Sequence, residues 1–205
     1  MSGQPEARFR LLLLLPVLAA LIVSGISPYD RLTWVMEVLP VLLIVPLLGF
    51  TAGRFPLTRL LYVLIAIHAL ILIAGGAYTY ARVPLGDWVK DAFDLARNPY
   101  DKLGHLAQGL VPALAARELL IRHALVNGRA IAAVLSVCVA MAISAVYELI
   151  EWAAALIMGQ GADEFLGTQG DQWDTQSDMF MALIGATIAL TLLARWHDRA
   201  MARLV

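Results

Sequence analysis

Residues 130–157 read AIAAVLSVCVAMAISAVYELIEWAAALI, an apolar run with no charge before Glu148 and Glu151 near its far end. A helix needs about 20 apolar residues to cross a bilayer, so this stretch reads as a membrane span. Five further runs of the same kind lie outward from it, at about 10–26, 34–52, 60–80, 103–121 and 179–195. The whole chain agrees: of 205 residues 60% are hydrophobic and 15% charged, and the mean hydropathy is +0.76. So few polar groups cannot cover a globular surface, which excludes soluble enzyme folds. The reading is an all-α, polytopic membrane helix bundle of about six transmembrane helices plus one interfacial amphipathic helix, a single integral membrane domain over 1–205. With a net charge of −1 the chain has no basic face for a phosphate backbone, so no nucleic acid is expected as a partner. Membrane lipids are the expected surroundings.

Individual runs carry further expectations. Arg8 and Arg10 ahead of Leu11 to Leu15 resemble a signal peptide with Val23-Ser24-Gly25 as a cleavage point. The length of the run and the spans after it favour a retained helix. Pro40 and Pro46 predict a kink in the second span. Cys138, the one cysteine, forms no intrachain disulfide and reads as a small buried hydrophobe.

Cations set the orientation. Arg8, Arg10, Arg54, Arg59, Arg117, Arg122, Arg129, Arg195, Arg199 and Arg203 fall on one side, against Arg31, Arg82, Lys90, Arg97 and Lys102 on the other. The positive-inside rule then places both termini in the cytoplasm. Thirteen of the sixteen acids lie on the opposite, outer side; the exceptions are Glu6, Glu118 and Asp198. That side also holds the long loops, 79–102 and 159–178. In the first, Leu85, Trp88, Val89, Ala92 and Ala96 recur at helical spacing opposite Asp87, Lys90, Asp91, Asp94 and Arg97, which predicts a surface helix over 85–97. The second holds Gly159, Gly161, Gly167 and Gly170 with Asp163, Glu164, Asp171, Asp174 and Asp178, a composition that favours turns.

Charged side chains inside spans cost a few kcal/mol each on insertion scales, so each is a candidate for function. Three clusters stand out. Asp101, Lys102, His105 and Gln108 open the fourth span, with Asp101, His105 and Gln108 on one stripe. Ser144, Tyr147, Glu148 and Glu151 line one face near the end of the fifth, beside Trp152. Asp171, Asp174 and Asp178 lead into the sixth, with Trp173 and Gln176 between them. Since these spans alternate in direction, all three clusters lie at one depth beneath the outer surface. A bundle with short connections brings them together and keeps them from lipid.

One imidazole among several carboxylates, with no thiolate, is a ligand set for a divalent metal such as Mg, Mn, Zn or Fe. The expected metal ligands are His105, Glu148, Glu151, Asp171, Asp174 and Asp178. Glu148-x-x-Glu151 matches the Glu-x-x-His of carboxylate di-metal bundles only in part, and residues 171–176 fail the calcium-loop pattern. Without a metal, His105, Glu148, Glu151 and Asp174 form a general acid and base set. Asp101, Lys102, Gln108, Tyr147, Trp173 and Gln176 are the expected substrate contacts. Ser144 lacks the G-x-S-x-G turn of a serine hydrolase.

Structural readings compete. His105 caps the fourth span, Glu148 and Glu151 pair with Lys102, Arg82 or Arg97, and Asp171 and Asp174 serve as helix caps. Arg117, Glu118 and Arg122 read as cytoplasmic interface residues, and His68 as a hydrogen-bonded structural histidine. Tyr78, Tyr80, Trp88, Tyr100, Trp152 and Trp173 form an interfacial aromatic belt.

Taken together, Tyr100-Asp101-Lys102-x-x-His105, Arg117-Glu118, Tyr147-Glu148-x-x-Glu151-Trp152 and the long motif Phe165-Leu166-Gly167-Thr168-Gln169-Gly170-Asp171-x-Trp173-Asp174-x-Gln176-x-Asp178-Met179 resemble the uncharacterised bacterial inner-membrane family typified by YjdF. The resemblance runs from about the first span to the last. The Asp-Lys-x-x-His start, a glutamate on the next span, and Asp178 with Gly185 on the final span are also similar to VanZ-like proteins. The Trp-Asp-Thr-Gln segment stands where an Arg-containing loop is expected in those proteins. The VanZ-like similarity implies a link to cell-envelope or lipid-linked processes. Neither family implies a reaction; the shared depth of the three polar clusters makes the expected activity a metal-dependent or acid/base hydrolase or transferase acting on a lipid or other amphiphilic head group at the membrane interface. The alternatives are an ion- or proton-coupled transporter or small-molecule binding protein, and a structural or accessory membrane protein.

Overall fold

The computed structural model describes residues 3–158 and 169–204. Its elements are α1 (Gly3–Ile26), α2 (Arg31–Thr51), α3 (Arg59–Tyr78), the short α4 (Pro84–Ala92), α5 (Tyr100–Arg122), α6 (Arg129–Met158) and α7 (Asp174–Ile188). A single π-helical turn, Ala189–Leu193, carries α7 on into α8 (Ala194–Met201). Pro16, Pro40, Pro46 and Pro112 all lie inside helices that continue through them. Both chain ends meet at one end of the bundle, the terminal end; the loops around α4 and ahead of α7 form the opposite, loop end.

Among the described residues five helical stretches are long and apolar enough to cross a membrane: Gln4–Ile26, Arg31–Thr51, Arg59–Tyr78, Arg129–Ile157 and Asp174–Met201. The expected span at 103–121 is α5, which is absent from that set because of where it lies. It packs against α3, α6 and α7 together, and residues as polar as His105, Gln108, Arg117 and Glu118 are buried on it. A helix surrounded by protein can carry such groups; one surrounded by lipid cannot. At 23 residues α5 is long enough to cross the hydrocarbon core, which is about 30 Å thick. In α1, by contrast, Val17 is the buried core residue, and Leu11, Leu12, Leu15, Ile22 and Val23 face outward.

The tightest contact joins α5 to α7. A Cβ added at Gly109 would collide with the Ala182 carbonyl, and one at Gly185 with the Leu106 carbonyl. The two backbones therefore touch, as at other small-residue crossings of membrane helices. At the α1–α2 joint, the Trp34 Nε1–H donates to Ser24 Oγ at 2.9 Å and the Trp34 ring lies on Gly25. The signal-like Val23-Ser24-Gly25 is thus part of a packed hairpin. Asp30 caps α2 by accepting from the Thr33 amide at 2.7 Å, and this bond holds its carboxyl below the usual range.

Several expectations are corrected. Cys138 faces outward from α6 instead of into the core. The surface helix expected over 85–97 ends at Ala92: Asp94 turns left-handed, φ 51°, and the Leu95 amide closes on the Lys90 carbonyl at 2.9 Å. Its apolar residues Leu85 and Trp88, with Phe93, do face outward. Tyr80 and Tyr100 leave the aromatic belt for the core, where their rings lie 5.9 Å apart and Tyr80 fills a slot lined by Gly75 and Gly104. Tyr78, Trp88, Trp152 and Trp173 are exposed as a belt requires. His68 Nε2 is buried with no hydrogen-bond partner among the described residues, so the expected structural bond is not made.

The largest correction is at the terminal end. Arg117 and Glu118 are buried, not interfacial, and Arg122 is half-buried beside them. Glu118 has no exposed surface; it accepts from the Thr58 amide at 2.9 Å, Thr58 Oγ1 at 2.8 Å and Arg122 at 2.7 Å. His197 Nε2, also fully buried, lies 2.8 Å from its second oxygen. Arg117 contacts His197 Nδ1 at 3.3 Å and donates to Asp198 at 2.6 Å, and Asp198 accepts from Arg129 as well. This clamp ties the starts of α3 and α6 to the ends of α5 and α8.

Gly185→Leu is expected to destabilise the protein by about 2 kcal/mol or more through forced separation of α5 and α7, whereas Gly49→Leu, where an added Cβ meets nothing, leaves thermal unfolding in detergent unchanged. Glu118→Ala strands His197 and Arg122 and is expected to cost about 3–5 kcal/mol in the same assay.

Candidate functional site

From the Gly109–Gly185 crossing, α5 and α7 both run to the loop end, and their polar residues face one another there. Asp101 and His105 are one turn apart on α5, with His105 Nε2 at 3.4 Å from Asp101 Oδ1 and 3.8 Å from Asp178 Oδ1 of α7. Its other nitrogen, Nδ1, is 3.7 Å from Glu148 Oε1 of α6. One ligand atom from each of Asp101, His105 and Asp178 can be chosen so that all three lie within 4.8 Å of one another, close enough to hold a metal ion.

Two cations brace the aspartates. Lys102 Nζ donates to Asp178 Oδ1 at 2.6 Å, Asp174 Oδ1 at 2.7 Å and Ser177 Oγ at 2.6 Å. Arg97 reaches Asp174 at 2.5 Å and Asp171 at 3.3 Å. Of the cations expected on Glu148 and Glu151, Lys102 and Arg97 therefore go to the aspartates instead, and Arg82 lies over the Tyr29 ring, 4.2 Å from its centroid. Asp174 and Asp178 are buried and share a face of α7, since the helix starts at Asp174. Asp171 lies before the helix and accepts from the Trp173 amide at 2.9 Å, forming a turn.

The other expected residues divide. Gln108 is buried one turn inward of His105. Glu148 is buried, while Glu151 is half-buried and makes no hydrogen bond or ion pair among the described residues. Tyr147 faces α2, donating to the Met36 carbonyl at 2.9 Å with its hydroxyl 3.4 Å from Glu37 Oε2. Trp173 and Gln176 are exposed. Phe165, Leu166, Gly167 and Thr168 of the long motif, and Gly159, Gly161, Asp163 and Glu164, lie outside the described residues. Gln169 exchanges two hydrogen bonds of 3.0 Å with the Asn98 backbone and so ties that segment to the start of α5.

Glu37 is the residue that sequence reasoning missed. It is buried on α2 within electrostatic reach of Asp101 and His105. The signal was present, a single carboxylate inside the apolar run 34–52. Asn98 was missed too, because its role is tertiary: it bonds the Val83 carbonyl at 3.0 Å and Asp87 at 2.9 Å and seats α4 through close contact with Gly86.

Unlike the terminal clamp, this cluster is incompletely satisfied. His105 Nδ1, Glu148 Oε1, Gln108 Oε1 and Ser144 Oγ are buried without a hydrogen-bond partner among the described residues. Glu37, Asp101, Glu148, Glu151, Asp174 and Asp178 outnumber Lys102 and Arg97, so the site carries an excess of acidic groups that a cation or protons must balance.

The family model described as predicted membrane protein (DUF2238) matches residues 9–199, which include every residue of this cluster. The chain belongs to that family. It is 64% identical over 183 residues to the inner membrane protein YjdF of Escherichia coli (strain K12), a match that spans 89% of this chain and 88% of that protein. No solved structure matches the chain.

Lys102→Met is expected to lower stability by about 3 kcal/mol, since it leaves two buried carboxylates facing each other. Adding Asp178→Asn to the same chain should recover part of the loss, read as a positive coupling in a double-mutant cycle of unfolding midpoints.

Proposed function

We propose that the protein is an inner-membrane enzyme whose loop-end site hydrolyses or transfers the polar head group of a lipid or lipid-linked molecule. The observation that carries this reading is His105, held between Asp101 and Asp178 on its Nε2 side and Glu148 on its Nδ1 side. Ten of fifteen cations lie toward the terminal end, which supports a cytoplasmic position for both termini and a periplasmic one for the site. The inner-membrane location is taken from the relative's name.

The donors suit a hard or borderline divalent ion, with Asp101, Asp178 and His105 Nε2 as ligands. Glu148, 3.7 Å from Nδ1, would orient the imidazole by closing to hydrogen-bond distance, as carboxylates do for metal-bound histidines. Such an ion supplies a Lewis acid and a water of lowered pKa. Lys102 bonds the same Asp178 oxygen, which leaves Oδ2 of Asp178 as the freer ligand atom. Lys102 and Arg97 also place positive charge at the mouth, where an anionic head group would lie. The exposed Trp88, Phe93, Trp152 and Trp173 keep the site at interfacial depth.

A path through the bundle has less support. Between the loop-end cluster and the terminal clamp lie Leu61, Ala113, Leu114, Ala140, Ala186 and Ala189, fully buried and apolar, an arrangement suited to a closed vestibule and not to a transporter's midplane site.

Purified protein is expected to contain about one divalent ion per chain by elemental mass spectrometry, and His105→Ala and Asp178→Asn to lose it with the fold retained. Equal metal content in all three proteins would overturn the metal-centred form. Lipid extracts from expressing cells are expected to differ between wild type and His105→Ala; identical profiles would overturn the enzymatic reading altogether.

A further inference from the structure

Beneath the His105 and Glu148 pair lies a second polar layer. α5 runs inward from the loop end and α6 runs outward to it, and His105 faces Glu148 at 3.7 Å. One turn further in, Gln108 on α5 therefore comes level with Ser144 on α6. α3 brings His68 to the same depth. The Tyr100 hydroxyl reaches the Ile71 carbonyl at 3.3 Å toward the loop end, and Leu61 and Leu114 share one apolar cluster toward the terminal end. His68 falls between these two markers in depth and lies within electrostatic reach of His105.

Each of the three has a buried polar atom without a partner among the described residues: His68 Nε2, Gln108 Oε1 and Ser144 Oγ. Ser144 has no exposed surface, and Gln108 is 9% exposed. Serines and threonines in membrane helices usually satisfy themselves by bonding the carbonyl four residues back. Thr51, Ser136, Thr187 and Thr191 all do so here. Ser144 does not, so its hydroxyl proton stays available. Just beyond this layer the apolar seal of Leu61, Leu114 and Ala140 begins.

The atoms of the layer specify what it takes. Gln108 Oε1 only accepts hydrogen bonds, Ser144 Oγ both donates and accepts, and a neutral His68 Nε2 does one or the other. None is a fixed charge. A phosphate oxygen or an ester carbonyl offers nothing to Gln108 Oε1, whereas a hydroxyl can donate to Gln108 while accepting from Ser144. The layer lies about 5 Å deeper along α5 than His105, at the level of a lipid's backbone instead of its outer head group. We infer that His68, Gln108 and Ser144 form a subsite for an uncharged hydroxyl on the backbone of the lipid whose head group lies against His105. This inference rests on the reading of the loop-end cluster as a lipid site and assigns the substrate class within it, a lipid with a free backbone hydroxyl.

The probes are 1-dodecanoyl-2-hydroxy-glycerophosphoethanolamine and its 2-O-methyl ether, titrated into the full chain in maltoside micelles with binding read from the rise in unfolding temperature. The free-hydroxyl lipid is expected to bind about fivefold to tenfold more tightly than the ether. Ser144→Ala and Gln108→Met should each abolish that preference, and His105→Ala should retain it. Without lipid, Ser144→Ala is expected to unfold at the wild-type temperature, since its hydroxyl bonds none of the described residues. Equal affinity for the two lipids, binding of neither, or a preference that survives both substitutions would overturn the inference, as would clear destabilisation by Ser144→Ala alone. Loss of metal or of lipid turnover with the preference intact would count against the catalytic reading and leave this subsite standing.

Discussion

Charge can be kept inside a membrane only where protein, not hydrocarbon, surrounds it, and α5 is built around that constraint. It carries Asp101, Lys102, His105, Gln108, Arg117 and Glu118, a load that no lipid-facing helix could bear. α3, α6 and α7 therefore wrap it, and the apolar outer faces of the bundle provide the contact with lipid. The Gly109 and Gly185 contact adds the second requirement. With both backbones touching, the side chains on either side of the crossing are close enough to neutralise each other, as Lys102 does for Asp174 and Asp178.

The two ends of the bundle use nearly the same chemistry for different purposes. At the terminal end a histidine, two carboxylates and three arginines are matched, Glu118 taking bonds from Thr58, Arg122 and His197. Such a network holds helices in register and has little capacity left for a ligand. At the loop end, by contrast, a histidine and six carboxylates face two cations, Lys102 and Arg97, and several buried polar atoms have no hydrogen-bond partner among the described residues. Buried polar groups are ordinarily satisfied, so this concentration sets the loop end apart from the clamp. The apolar layer around Leu61 and Leu114 separates the two ends.

Much of the loop-end site was legible in the chain. Acidic residues in apolar runs are costly, and the alternation of span directions sufficed to bring His105, Glu148 and Asp178 to one depth. Glu37 obeyed the same rule and was passed over because it stands alone, without neighbours to make a pattern. Arg117, Glu118 and Arg122 were misread for the opposite reason: charges near a span end are usually solvated, and nothing local shows that His197, nearly 80 residues later, covers them. Tyr80 and Tyr100 likewise carry the composition of an aromatic belt, while the gap left by Gly75 and Gly104 draws Tyr80 inward.

By itself the amino-acid order determined the helical class, the approximate spans, the sidedness of charge and the depth of each polar group, because hydropathy and the 1.5 Å rise act along one dimension. Tertiary structure alone decided which face of each helix looks inward and which partner each charge finds. Those choices depend on rotation about the helix axes and on how closely two backbones approach, and the glycines that permit the approach are recognisable as such only once their neighbours are in place.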